Sequence, residues 1–125
     1  MIFNSMTINN SILETAMQAS ALRNDVITNN IANAETPGFK KKVVLFEDSL
    51  QRALDRAPSK RKVDLSRVRS QVTREHSRFK YRLDENNVDI DREMMSIYQN
   101  NVKYDTLSTS VMNNYRRINL VLNAK

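Results

Sequence analysis

The residues able to do chemistry in this chain are few, and their spacing limits what they can do. His76 is the single histidine and there is no cysteine, so thiol nucleophiles, disulfides and His/Cys metal sites lack ligands. The chain has one glycine, Gly38, which rules out a glycine-rich phosphate loop. Asp84, Glu85, Asp89 and Asp91 crowd together but lack the glycine and regular ligand spacing of a calcium loop. They read as a turn leading into the start of a helix. His76 reads as a solvated linker residue. No catalysis, cofactor or metal is expected.

Positive charge is the second candidate. The chain carries a formal net charge of +6, and it is unevenly placed. Residues 58–82 hold nine Lys/Arg against Asp64 and Glu75. Interleaved with Phe79 and Tyr81, these could contact phosphates and stack on bases. Residues 78–83, RFKYRL, alternate strictly, however, with Phe79, Tyr81 and Leu83 on one side and the cations on the other. That is the pattern of a half-buried edge strand, where Lys and Arg discourage unwanted pairing. A basic nucleic-acid-binding module using residues 58–82 is therefore the alternative reading, not the leading one.

The remaining chemistry is amide chemistry, concentrated in TNNIANAETPGFKKK, residues 28–42. Asn29, Asn30 and Asn33 each present a donor and an acceptor and can bond across closely packed helices. Pro37 stops a helix, because it has no N–H and biases residue 36 to extended geometry. Pro37-Gly38 suits the central positions of a type II turn, the second of which needs positive φ. That is the local use of the one glycine. A solvated lysine run then follows.

Elements must position these groups, and the composition points to helices. With one Gly and two Pro in 125 residues, few tight turns are available, and no run is apolar enough to insert in a membrane. The first residues lack the basic and apolar regions of a secretory signal. Over residues 8–34, Ile12, Leu13, Ala16, Ala19, Val26, Ile27, Ile31 and Ala34 fall within about 140° on a helical wheel. Arg23 and Asn30 share that face and need bonding partners wherever it is buried. Residues 43–56 place Phe46, Leu50 and Leu54 on one face of a short helix ended by Pro58. Residues 59–85 lack a helical period and read as a basic linker with a short strand or hairpin arm.

Residues 89–123 carry the strongest pattern. Ile90, Met94, Ile97, Asn101, Tyr104, Ser108, Val111, Tyr115, Ile118 and Leu122 repeat at alternating spacings of four and three, the seam of a left-handed coiled coil. Asp89 is a suitable N-cap, and Asp91 and Glu93 sit where the helix dipole favours anions. Asn101 and Ser108 interrupt the seam and can fix its register. The expected fold is mainly α. Long N- and C-terminal helices pair as a coiled coil, with a short middle helix and an irregular basic linker or short β arm. The chain divides into an N-terminal helix (1–36), a turn and short helix (37–57), a basic linker with a strand or hairpin (58–87) and a C-terminal helix (88–125).

Two runs resemble a known family. Asn29-Asn30-Ile31-Ala32-Asn33-Ala34-Glu35-Thr36-Pro37-Gly38-Phe39-Lys40 resembles the N-terminal signature of bacterial flagellar rod, hook and related axial proteins. Asn86-Asn87-Val88-Asp89-Ile90-Asp91-Arg92-Glu93-Met94 resembles the start of the last helix in B-type proximal-rod proteins more than in the short C-type. Glu85 stands where that family usually has glycine. The chain is too short for the β domains that hook and distal-rod subunits insert.

The resemblance implies a non-catalytic, self-associating structural subunit of the basal-body rod. This is the periplasm-crossing shaft that transmits torque for motility. The implied partners are other rod subunits, the rod-to-ring adaptor, membrane-ring proteins and the flagellar type III export apparatus, which passes such subunits without a cleaved signal. Nucleic acid is not among them. The assembly interface is expected at Asn29, Asn30, Ile31, Asn33, Thr36, Pro37, Gly38 and Phe39 near the front. In the last helix it is expected at Ile90, Met94, Ile97, Asn101, Tyr104, Val111, Tyr115, Ile118 and Leu122. Asn30 and Asn33 are expected to reach neighbouring chains, with the Thr36-Pro37-Gly38 turn sending the chain outward.

Overall fold

A heptad seam of almost five repeats needs a second long helix, and the computed structural model draws it from the other end of the chain. The structure describes residues 2–59, 62–75 and 83–124. Helix α1 spans Ile2–Ala32 and helix α3 spans Ile90–Asn123. They lie side by side and make the most extensive contact in the fold. They run antiparallel, since Asn10 meets Asn114, Asn24 meets Asn100 and Asn30 meets Glu93. The expected pairing of the terminal helices is therefore present within one chain.

Between them come strand β1 (Lys42–Leu45), helix α2 (Glu47–Arg56), a single 3₁₀ turn at Leu65–Arg67 and strand β2 (Gln71–Arg74). The strands pair antiparallel, Lys42 opposite Arg74 and Leu45 opposite Gln71. Helix α2 starts with Glu47 and Asp48 and ends with Arg56, matching the helix dipole, and Pro58 follows its C-cap. Its inner face meets a small core in which Ala19, Phe46 and Val68 are buried against Ala16, Leu50, Ala53 and Leu65. Burying a side chain the size of Phe46 contributes about 1.5–3 kcal/mol.

The middle segment departs from expectation at its start. The second helix begins at Glu47, not at residue 43, and Val43-Val44-Leu45 is strand. Two β-branched residues favour the pleated form, and β2 supplies hydrogen-bonding partners that a local reading does not contain. The strand expected at 78–83 lies outside the described residues except for Leu83, which is exposed in a turn.

The face of α3 also differs. Ile97, Ser108, Val111 and Ile118 are half-buried as the seam requires. At the alternate positions, the residue before each expected one turns inward. Glu93 and Asn100 are buried and Asn114 half-buried in place of Met94, Asn101 and Tyr115, while Leu107 is half-buried alongside Ser108. Met94 is 54% exposed, and Ile90, Tyr104 and Leu122 also face outward. The helix has rotated towards its polar residues because α1 bonds them, which offsets the cost of burying them.

Candidate assembly site

The two motif runs, about fifty residues apart, meet at one corner. Helix α1 frays into tight turns after Ala32, with Ala34 N–H donating to the Ile31 carbonyl and Thr36 N–H to the Asn33 carbonyl. The carbonyls left over at a helix end need donors, and Asn86 supplies them. Its Nδ2 donates to the carbonyls of Asn33, Ala34 and Thr36 at 3.0, 3.0 and 2.8 Å, while its Oδ1 accepts from Val88 N–H at 2.8 Å. Asn86 is fully buried.

The turn follows directly. Phe39 N–H donates to the Thr36 carbonyl, closing a turn with Pro37 and Gly38 at its centre, and Gly38 has φ of 71°. This is the type II geometry expected from the sequence. Gly38 N–H then donates to the Asp84 carbonyl at 2.8 Å, and the Lys40 ammonium to the Glu85 carbonyl. Lys41 N–H donates to Asn87 Oδ1 at 2.6 Å. Gly38, Lys40 and Lys41 are thus tied to the segment that leads into α3. Glu85, which replaces the family's glycine, sits at φ of 64°, in the left-handed region that glycine favours.

Beneath the turn lies a buried polar cluster. Asn30 is wholly buried, and its side-chain amide pairs with both backbone groups of Lys42. Its Oδ1 accepts from Lys42 N–H at 2.9 Å and its Nδ2 donates to the Lys42 carbonyl at 2.8 Å. Asn30 thus acts as a one-residue strand neighbour on the side of β1 away from β2. The same Nδ2 donates to Glu93 Oε2 at 2.9 Å. Glu93 is only 1% exposed, and the Lys41 ammonium lies 2.7 Å from its Oε1 and 3.7 Å from a Glu75 carboxylate oxygen. Burial works against the Lys41 charge, but the hydrogen bonds and charges of Glu93 and Glu75 outweigh it and raise its pKa above 10.5. Asp89 caps α3 by accepting from Arg92 N–H.

A second polar node sits further along α1. One guanidinium nitrogen of Arg23 reaches both carboxylate oxygens of Glu47, at 2.9 and 2.8 Å, and Lys103 of α3 reaches Oε1 at 2.9 Å. Glu47 joins all three helices. Its partial burial pushes its pKa up, but Lys103, its own backbone and Arg23 prevail and lower it to about 2. Arg23, expected to need a partner on this face, has one.

The structure brings together only part of the expected interface. Asn30 is used within the chain, and not at a neighbour as expected. Asn33 donates to the Asn29 carbonyl and accepts from the Thr36 hydroxyl, both local contacts. Asn29, Thr36, Pro37 and Gly38 are exposed, with Ile31 and Phe39 half-exposed. Asn101 accepts from Asn24 across the helix pair. Ile97, Val111 and Ile118 face α1, and Ile90, Met94, Tyr104 and Leu122 face out. Tyr115 is half-exposed, with its hydroxyl donating to Glu14 Oε1 of α1 at 3.0 Å. The lysine run is not simply solvated, since Lys40 and Lys41 are both bonded. Sequence reasoning passed over Asn86, Glu93, Lys41 and Asn100. The signal for Glu93 and Asn100 is their seven-residue spacing with Leu107 and Asn114, visible only when polar residues are allowed into the seam.

Comparison with known proteins bears on this corner directly. A family model described as "Flagella basal body rod protein" matches residues 11–40, most of α1 and the turn. The flagellar basal body rod protein FlgB of Bacillus subtilis is 35% identical over 123 residues, covering 94% of each chain. FlgB of Borrelia hermsii is 32% identical over 120 residues, covering 82% of this chain and 86% of its own. FlgB of Escherichia coli is 30% identical over 104 residues, covering 73% and 75%. None of these similarities favours the nucleic-acid alternative. With both motif runs joined at one corner and this level of identity along nearly its whole length, the chain belongs to the FlgB family of flagellar basal body rod proteins.

Proposed function

We propose that this protein is a structural subunit of the proximal part of the flagellar basal-body rod, with a mechanical and not a catalytic role. The observation that carries the reading is the paired α1 and α3. They are locked at one end by the fused motif corner and leave a row of apolar side chains on the outer side of α3. Met94, Met95, Tyr98 and Val102 are each more than half exposed there, spaced to form one helical stripe. A monomer gains nothing from such a stripe, whereas a subunit packed among others buries it. The proposed neighbours are other rod subunits, then the rod-to-ring adaptor and membrane ring at the base. Delivery is by the flagellar export apparatus to the periplasmic rod.

Of the expected interface residues, the exposed ones remain proposed contacts: Asn29, Thr36, Pro37, Gly38, Ile90, Met94, Tyr104, Tyr115 and Leu122. The test is replacement of the native gene by Met94→Asp/Tyr98→Asp, scored by swimming and by the content of isolated basal bodies. Loss of swimming with normal cellular levels of the folded chain is expected. Normal swimming and normal incorporation refute the stripe as an interface.

A further inference from the structure

A basic surface and an acidic surface lie on different parts of the fold. The basic one is a cleft of about 370 Å³ between α2 and the 3₁₀ turn. Arg52, Arg56, Lys62 and Arg67 line it, with Asp64 as its one carboxylate and Ala53, Ala57 and Pro58 as an apolar floor. All four cations are exposed. Asp64 lies 3.7 Å from Arg67, which leaves the cleft strongly cationic. Ser49 on its wall already accepts from Arg69 N–H.

The acidic surface is the first turn of α3 and its cap, where Asp89 and Asp91 are exposed. Arg92 Nε lies 3.4 Å from Asp89 Oδ2, which leaves Asp91 as the unpaired carboxylate of the two among the described residues. Helix α2 packs against Ala16 and Ala19 of α1, whereas the acidic corner lies beyond Ala34. The thirteen residues of helix from Ala19 to Ala32 alone separate these levels by about 20 Å, so the cleft and the corner of one chain do not meet each other.

We propose that the cleft receives the acidic first turn of α3, with Asp89 and Asp91, from a second copy of this chain. The proposal rests on the rod-subunit reading and names the contact that stacks one copy on the next. Charge complementarity selects the occupant, with Arg suited to planar carboxylate recognition and the apolar floor admitting the helix backbone. A contact between two different surfaces is head-to-tail. With an axial offset it does not close on itself and continues as a helical filament.

Two charge-reversed variants test this. Arg52→Glu/Arg56→Glu gives an acidic cleft beside an acidic corner, and Asp89→Lys/Asp91→Lys gives a basic corner beside a basic cleft. All four side chains are exposed, and unchanged helicity by circular dichroism checks that each variant folds. In sedimentation at low salt, the wild-type chain is expected to self-associate. Each variant alone should associate at least about tenfold more weakly, and their equimolar mixture should recover wild-type association.

A wild-type chain that stays monomeric at millimolar concentration overturns the proposal. So does a variant that associates alone as wild type does, or a mixture that stays dissociated. If the first variant loses binding to a short DNA duplex yet self-associates normally, the cleft belongs to nucleic acid and the proposal falls. The rod reading is judged separately. A wild-type gene that restores swimming keeps it when the mixture fails, and absence of the wild-type chain from basal bodies removes it.

Discussion

Replacing Glu93 by alanine should loosen the whole corner. The side chain is buried, and it holds Lys41 through Oε1 and Asn30 through Oε2. Removing one partner of a buried ion pair costs about 3–5 kcal/mol. Here the lower end applies, because the Lys41 side chain is 22% exposed and keeps Glu75 at 3.7 Å. Asn30 Nδ2 keeps its bond to Lys42, so its loss adds little. The expected destabilisation is about 3 kcal/mol, a large part of the roughly 5–15 kcal/mol that holds a typical domain together.

Urea unfolding followed by circular dichroism measures this, with equal slopes for wild type and variant ensuring that midpoints report stability. Glu93→Gln, which keeps an oxygen for Asn30, should cost about half as much. The double variant Lys41→Met/Glu93→Leu, which leaves no buried charge unpaired, should recover most of the loss. The effect should persist at 1 M salt, since a buried pair is screened little. A Glu93→Ala chain within 0.5 kcal/mol of wild type (roughly the scatter of a neutral surface change), or a double variant no better than the single one, refutes the reasoning.

Glu85→Gly should stabilise the chain by up to about 1 kcal/mol in the same assay, because it relieves a left-handed φ of 64°, less the entropy that glycine adds to the unfolded chain. Gly38→Ala should destabilise it by about 1–2 kcal/mol through backbone strain alone, since φ is 71° and a Cβ there meets nothing within 4 Å. Acid should expose the Glu47 node. Its folded pKa of about 2 lies below the ordinary 4.5, so its contribution is complete above pH 4.5 and is lost as pH falls through about 2. Thermal melts between pH 5 and 2 should show a shallower acid dependence for Glu47→Gln than for wild type. Lys41 is the opposite case: its raised pKa makes its contribution complete below about pH 10.5 and lost above its folded value.

Local rules reached some of these features from the sequence. The Pro37-Gly38 turn and the Asp89 cap are decided within four residues, and both stand in the structure. The two long helices were legible because an apolar stripe in the first and a heptad pattern in the last each fix an element whatever its partner. The face that α3 turns inward was not, because apolar spacing alone favours Met94 and Tyr115. Glu93 and Asn100 become interior residues only once Asn30, Ser20 and Asn24 are there to bond them. Strand β1 was missed for the same reason, as its partner lies at residues 71–74 and its other side is closed by an asparagine from α1. Asn86 was visible in the motif, but its three acceptors lie fifty residues back.

The bonded asparagines along the helix pair also make it an alignment key. Asn10 meets Asn114 and Asn24 meets Asn100, the two pairs fourteen residues apart on each helix, and midway between them Met17 and Leu107 are half-buried. Sliding one helix by seven residues sets Asn10 against Leu107 and Asn100 against Met17. Each stranded amide then costs about 1–3 kcal/mol, while the apolar residues lose each other. Two helices drawn apart and brought together again are therefore turned away from the nearest in-phase slip, as a fastener with two alternating tooth shapes resists closing one tooth out of step.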